Sequence, residues 1–212
     1  MYEMYDSVQG ESTLAGLPCT FIRLAGCPLR CSYCDTPKAI PTDSGQWINI
    51  DEIIHQVKQH NRPLVLLTGG EPLAQRHCNT LLKRLSELDC FVQLETSGAY
   101  SIASVPAGIR RIVDIKTPGS GEVQRNHLQN LQHLVAGDEI KIVLTDRSDY
   151  EWARDFIREH KLGLDDVPVL LSPAWGDISA ADLCAWLLED RLPARMQMQM
   201  HKVIWGSEAE GV

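Results

Sequence analysis

No stretch of this 212-residue chain stays apolar for the roughly 20 residues that a bilayer-spanning helix needs. Its opening residues lack the basic-then-apolar pattern of a secretory leader. Lys and Arg never run five together, and the formal net charge is −8. Nucleic acids and other polyanions are gripped through Lys and Arg, so they are poor candidates for a partner. The seven cysteines form no even, regular framework of the kind that staples secreted domains, and a reducing compartment is expected. These absences point to a cytoplasmic protein with no membrane and no nucleic acid among its partners. Internal repeats, low-complexity tracts and Pro/Ser-rich linkers are also missing. With 44% hydrophobic and 23% charged residues, the expectation is a single globular domain over residues 1–212.

What is present concentrates in residues 26–36, Gly-Cys-Pro-Leu-Arg-Cys-Ser-Tyr-Cys-Asp-Thr. Cys27, Cys31 and Cys34 follow the spacing C-x3-C-x2-C directly after the apolar run Phe21-Ile22-Arg23-Leu24-Ala25. Three thiols in so short a loop cannot close a disulfide framework, because one is left over. They can hold one face of an iron–sulfur cluster, and a four-iron cluster ordinarily takes four thiolates. One iron would then stay open for a ligand that is not protein. Structural zinc is the competing reading, but it needs a closed set of four ligands, usually two spaced pairs. No second pair exists, and His55, His77 and His201 are scattered. Cys19, Cys78, Cys90 and Cys184 sit in or beside apolar stretches and read as small buried hydrophobes.

Runs at about residues 19–25, 64–67, 90–94, 111–115, 138–144 and 167–171 read as strands, and the first is nearly continuously apolar, as a strand covered on both faces would be. Helical spacing marks 51–59, with Asp51 as N-cap, then 75–88, 150–160 and 180–189. Residues 5–12 read as irregular, and 195–212 as a segment closing the chain over the substrate side. Strands alternating with helices or long crossovers imply a parallel sheet, whose functional groups gather at the carboxyl ends of the strands. The conspicuous clusters all fall there: the cysteine loop, Thr68-Gly69-Gly70-Glu71-Pro72, Glu95-Thr96-Ser97-Gly98, Asp114-Ile115-Lys116 and Ser172-Pro173. Six strands are too few for a closed eightfold barrel. The fold class expected is therefore α/β, an open partial (β/α) barrel of about six mostly parallel strands with a reduced helix complement.

The three-cysteine loop with one open iron, together with the glycine-rich turn at 68–72, resembles the radical S-adenosylmethionine (SAM) enzymes. Val8-Gln9-Gly10-Glu11, Phe21-Ile22-Arg23, Cys34-Asp35-Thr36, Glu95-Thr96-Ser97-Gly98 and the closing Gln199-Met200-His201-Lys202-Val203-Ile204-Trp205 narrow that likeness. From about Tyr5 to Trp205 the chain resembles the 7-carboxy-7-deazaguanine synthases.

The resemblance implies a lyase that turns 6-carboxy-5,6,7,8-tetrahydropterin into 7-carboxy-7-deazaguanine with loss of ammonia, on the route to queuosine. It implies a 4Fe–4S cluster, SAM and magnesium as cofactors. It also implies an electron donor such as flavodoxin or ferredoxin, and a homodimer. By position, Cys27, Cys31 and Cys34 ligate the cluster and Thr36 touches magnesium. Tyr33, Cys34, Asp35, Gly70, Asp114, Ile115, Lys116, Ser172, Pro173, Ala174 and Trp175 line SAM. Val8, Gln9, Gly10, Glu11, Arg23, Thr68, Glu95, His201 and Ser207 hold the pterin. Arg23 offers a two-pronged donor to a carboxylate, and Glu11 or Glu95 can accept from pterin N–H groups. No catalytic residue is assigned beyond the cluster, SAM and magnesium. Two other functions remain to be weighed. One is a glycyl-radical-enzyme activase, which shares the cysteine and glycine signatures but acts on a polypeptide. The other is a non-catalytic, zinc-stabilised binding module.

Overall fold

The computed structural model describes residues 1–164 and 166–212. Eight strands form one sheet in sequence order: β1 Glu3–Val8, β2 Pro18–Leu24, β3 Leu64–Gly69, β4 Phe91–Thr96, β5 Arg110–Asp114, β6 Glu139–Leu144, β7 Val169–Pro173 and β8 Arg195–Met196. β1 runs antiparallel to β2, and every later neighbouring pair is parallel. The order ends at β8 without returning to β1, so the sheet curls but stays open. Among the described residues, five α-helices accompany it: α1 Ile50–His60, α2 Cys78–Ser86, α3 Arg147–Glu159, α4 Ala180–Asp190 and α5 Met200–Trp205. No α-helix separates β4 from β5, and only short 3-10 turns link β5 to β6. Among the described residues, no helix is long and apolar enough to cross a membrane.

Alternation along the strands decides which side chains reach the site. Ile22, Leu24, Val65, Leu67, Val92 and Leu94 pack against Ile53, Ile54 and Val57 of α1 and Leu81, Leu82 and Leu85 of α2. Val113, Ile140, Ile142, Leu144, Val169 and Leu171 pack against Tyr150, Phe156 and Ile157 of α3 and Leu183 and Leu187 of α4. Fully burying each leucine of this shell contributes about 1.5–3 kcal/mol. The intervening residues face the other way. Cys19, Phe21, Leu64, Leu66 and Ile112 form a small apolar floor. Toward the carboxyl ends the same faces carry Arg23 and Thr68, paired in register, then Glu95, then Asp114 and Lys141, also paired, and Ser172.

Four sequence expectations change. Residues 3–8 are a strand, not irregular chain, and β8 adds another, giving eight strands where about six were expected. The N-cap of α1 is Asn49, whose side chain accepts the Asp51 N–H at 2.9 Å; Asp51 lies inside the first turn. The helix expected over 75–88 is preceded by a 3-10 turn at Pro72–Ala74 and begins at Cys78. Cys184 is exposed, and Cys90 is only half-buried.

Candidate active site at the carboxyl ends of the strands

The cysteine loop leaves β2 at Leu24 and is pinned at both ends. Gly26 N–H donates to Ala39 O at 2.8 Å and Cys27 N–H to Ile40 O at 3.0 Å, while buried Leu29 anchors the middle. Ser32 donates twice, from N–H to Ser120 O at 3.1 Å and from its hydroxyl to Gly119 O at 2.8 Å. Gly119 in turn is fixed by Asp149 of α3, a buried carboxylate that also accepts from the Thr117 and Thr145 hydroxyls and the Thr145 N–H. Cys27, Cys31 and Cys34 are half-buried and free. Burial raises all three thiols, Cys31 to about 11, and the charges of Cys34 and Cys27 raise Cys31 further while Lys116 works against them. Among the described residues, no three His, Cys, Asp or Glu side chains converge as a single metal ion requires.

The glycine turn has a structural job that sequence reasoning did not find. Gly70 N–H donates to Leu24 O and Glu71 N–H to Gly26 O, both at 2.9 Å, so this turn lies backbone to backbone against the root of the cysteine loop. A Cβ on Gly70 would stand 2.3 Å from Gly26 O, which only glycine avoids. Glu71 is fully buried. Its carboxylate accepts from Leu73 N–H and the Thr96 hydroxyl, both at 2.8 Å, from Ser97 N–H at 2.6 Å and from the Ser97 hydroxyl. It joins the turn after β3 to the turn after β4. Pro72 opens the 3-10 turn Pro72–Ala74 and lies outside α2, which begins at Cys78.

Inside the sheet the structure collects a charged set. Arg23 donates from Nε to Glu3 at 2.7 Å, from Nη2 to Tyr5 OH at 3.0 Å, and from Nη1 toward Thr36 Oγ1 at 3.4 Å. Its fork is thus already partly engaged by β1, an arrangement hidden while residues 5–12 read as irregular. Thr36 donates to Asp35 at 3.0 Å. Lys141 of β6 meets Glu11 and, at 2.7 Å, Glu95, whose other oxygen accepts from Thr68 at 3.3 Å. Burial alone would raise the Glu95 carboxyl, but the Lys141 ammonium holds it below its ordinary range.

The segment Gln9 to Ser12 is buried within this set. Gln9 donates to Gln93 of β4 at 2.6 Å, and Gln93 to the Ser12 hydroxyl at 3.1 Å. The closing segment comes down on the same place. Gln199 donates to Glu11 at 2.9 Å, and Met200 N–H to Gly10 O at 2.9 Å. Glycine is required at position 10, where a Cβ would stand 2.3 Å from His201 Nδ1. Burial pushes the His201 imidazole below its ordinary value, against the pull of the Glu11 and Asp35 carboxylates. Val8 only borders this network, pairing with Pro18 at the sheet edge. Ser207 is exposed and its hydroxyl donates to Glu208, so the structure does not bring it to the others.

On the other side, Lys116 donates to Asp114 Oδ2 at 2.8 Å and lies 5.5 Å from the Tyr33 ring centroid. Ile115 is buried between them in sequence. Pro173, Ala174 and Trp175 line a cavity of about 310 Å³ with Met198 and Gln199. Among the described residues, three buried polar atoms here have no hydrogen-bond partner: Tyr33 OH, Asp114 Oδ1 and Ser172 Oγ.

The radical SAM superfamily model matches residues 21–114, which include all three loop cysteines. The 7-carboxy-7-deazaguanine synthase of Chlorobaculum tepidum is 41% identical over 99% of this chain and 96% of its own length. That of Koribacter versatilis is also 41% identical, over 99% of this chain and 98% of its own. The chain belongs to the 7-carboxy-7-deazaguanine synthase family. The fold agrees. The crystal structure of QueE from Escherichia coli superposes with a TM-score of 0.72 at 24% identity, covering 95% of this chain and 93% of that one. Streptococcus suis SuiB bound to S-adenosylmethionine superposes with a TM-score of 0.60 at 15% identity, over 84% of this chain and 49% of that one.

Membership in the radical SAM superfamily implies a 4Fe–4S cluster and SAM. This chain's residues fit both groups. The three free thiols occupy one loop and are not arranged for a single ion. The unpartnered Tyr33, Asp114 and Ser172 atoms are buried polar groups that a polar ligand would satisfy.

Proposed function

We propose that the chain converts 6-carboxy-5,6,7,8-tetrahydropterin to 7-carboxy-7-deazaguanine with loss of ammonia, within queuosine and 7-deazapurine biosynthesis. The observation that carries this reading is the strand-end set in which Thr68, in register with Arg23, donates to Glu95, and Lys141 ties Glu95 to Glu11. One guanidinium and two carboxylates match a substrate with a carboxylate at one end and N–H groups at the other. Bound together, the cluster on Cys27, Cys31 and Cys34 and the SAM molecule supply the radical that starts the rearrangement.

The protein's own residues bind and orient. Tyr33, Cys34, Asp35 and Gly70 take SAM on the loop side, and Asp114, Ile115, Lys116 and residues 172–175 take it on the far wall. Thr36 would offer its hydroxyl oxygen to magnesium, a hard oxygen-seeking cation that would help hold the substrate carboxylate. Arg23, whose Nη1 points at Thr36, donates to the same carboxylate. Gln9, Gly10, Glu11, Thr68, Glu95 and His201 enclose the pterin. The segment 195–205 closes the pocket by resting on Gly10 and Glu11. Val8 supports this set through the main chain, and residues 1–212 work as one radical SAM domain. An electron donor such as flavodoxin or ferredoxin reduces the cluster, and the chain acts in the cytoplasm as a homodimer.

The test is anaerobic reconstitution with iron and sulfide, followed by SAM, dithionite, magnesium and 6-carboxytetrahydropterin, with mass spectrometry of the products. The expected result is 7-carboxy-7-deazaguanine, formed more slowly when magnesium is omitted. SAM cleavage without that product would overturn the substrate assignment.

A further inference from the structure

Lys141 belongs to none of the motifs that mark this family and has no role in the set above. It stands on the inner face of β6, in register with Asp114 of β5, while its strand neighbours Ile140 and Ile142 face the helices. Its side chain is only 9% exposed. A buried ammonium is costly unless paired, and this one is paired twice, with Glu11 Oε2 and with Glu95 Oε1. Burial would lower its pKa, but Glu11, Glu95 and Asp114 together hold it well above the ordinary value. Replacing a buried ion cluster with apolar packing is often neutral or stabilising, so stability alone does not account for the arrangement.

The count of hydrogen-bonding groups points further. An ammonium has three N–H donors, and the two glutamates take two. Glu11 Oε1 accepts from Gln199, and Glu95 Oε2 from Thr68. Each carboxylate oxygen accepts more than one hydrogen bond, so both glutamates keep capacity. Asp114, the remaining carboxylate beside Lys141, is held by Lys116 through Oδ2. The free edge of the cluster therefore offers one cationic donor with two carboxylate acceptors beside it. A 2-amino-4-oxopyrimidine edge presents the complement: a carbonyl acceptor, a ring N–H donor and an amine donor.

We propose that Lys141 is a specificity-determining residue that donates its third N–H to the 4-oxo group of the pterin, while Glu11 and Glu95 accept from the ring N–H and the 2-amino group. The proposal rests on the pterin reading of the site. Lys141 then selects a 4-oxo ring over a 4-amino ring, because an amine at that place would turn a donor toward the ammonium.

Equilibrium fluorescence titration of the holoenzyme tests this with 6-carboxypterin and 2,4-diaminopteridine-6-carboxylate, which differ in that substituent and in the neighbouring ring N–H that the 4-amino ring lacks. Wild type binds the oxo compound tighter by about 10- to 100-fold, the worth of one hydrogen bond to a charged group. Lys141→Met lowers that ratio about tenfold, and what remains is the preference of the two glutamates for the ring N–H. A uniform loss of affinity from a distorted pocket would leave the ratio unchanged. Lys141→Arg keeps a cationic donor and retains part of the preference. Equal binding of the two compounds by wild type, or an unchanged ratio in Lys141→Met, would overturn the proposal. If Lys141→Met does not fold, the wild-type ratio and the Lys141→Arg ratio decide it. Wild-type protein that binds neither compound would strike the pterin reading itself, and so would be told apart from a failure of Lys141.

Discussion

At the scale of single residues, Gly10 and His201 set how tightly the closing segment seats. A Cβ at position 10 would meet His201 Nδ1 at 2.3 Å and Cγ at 3.0 Å, so Gly10→Ala drives the ring outward and strains the Met200 N–H bond to Gly10 O. Small misplacements of binding groups are expensive in rate, and we expect kcat/KM for the pterin to fall about tenfold or more, read from initial rates. His201 also makes a pH prediction. Its folded pKa lies below the ordinary imidazole value, mainly through burial. Between the folded and unfolded values, the unfolded chain holds a proton that the folded chain does not, so stability declines as pH falls through that window. Denaturant midpoints at pH 7.5 and 5.5 should drop further for wild type than for His201→Gln. Equal drops would show that the imidazole carries no such linkage.

At the scale of elements, the buried carboxylates of Glu71 and Asp149 work as fasteners between turns. Asp149 accepts from Thr117, Gly119 and Thr145, and through Gly119 and Ser120 it supports Ser32 of the cysteine loop. Asp149→Ala strands these donors, and we expect a loss of about 3 kcal/mol or more in urea unfolding. Less iron should be retained per chain after reconstitution. Leu82→Ala, at a fully buried position between α1, α2 and the sheet, should cost about 2–5 kcal/mol without altering the preference between pterins. The strands that carry the site were legible because both of their faces are covered, which leaves nearly unbroken apolar runs such as Leu64-Val65-Leu66-Leu67. β1 was not legible, since all six of its residues are half-buried at a sheet edge and polar side chains interrupt the run. β8 has two residues, too few for any period.

At the scale of the whole molecule, the sheet converts sequence-distant segments into one pocket. The cysteine loop, the buried Gln9–Ser12 segment and α5 meet only because β1 and β2 pair and the chain's end returns over them. The motif residues at the strand ends could be found from sequence, because parallel sheets place their ligands there. Lys141 could not. In Glu139-Ile140-Lys141-Ile142 the alternation of polar and apolar residues announces a strand with one polar face, and such a face ordinarily looks to water. Only the open barrel, with helices covering Ile140 and Ile142, turns that polar face inward. Arg23 carried a similar ambiguity, since its partners Glu3 and Tyr5 come from the strand that the sequence concealed.

The central claim is that the three thiols and the pterin end form one site with separable duties: the loop powers the reaction, and the strand ends hold the substrate. Cys31→Ala tests it most directly, with product measured by mass spectrometry and 6-carboxypterin binding measured by fluorescence on the same preparation. The account predicts that 7-carboxy-7-deazaguanine disappears while affinity for the pterin stays within about threefold, well under 1 kcal/mol. Continued product formation by Cys31→Ala would contradict it.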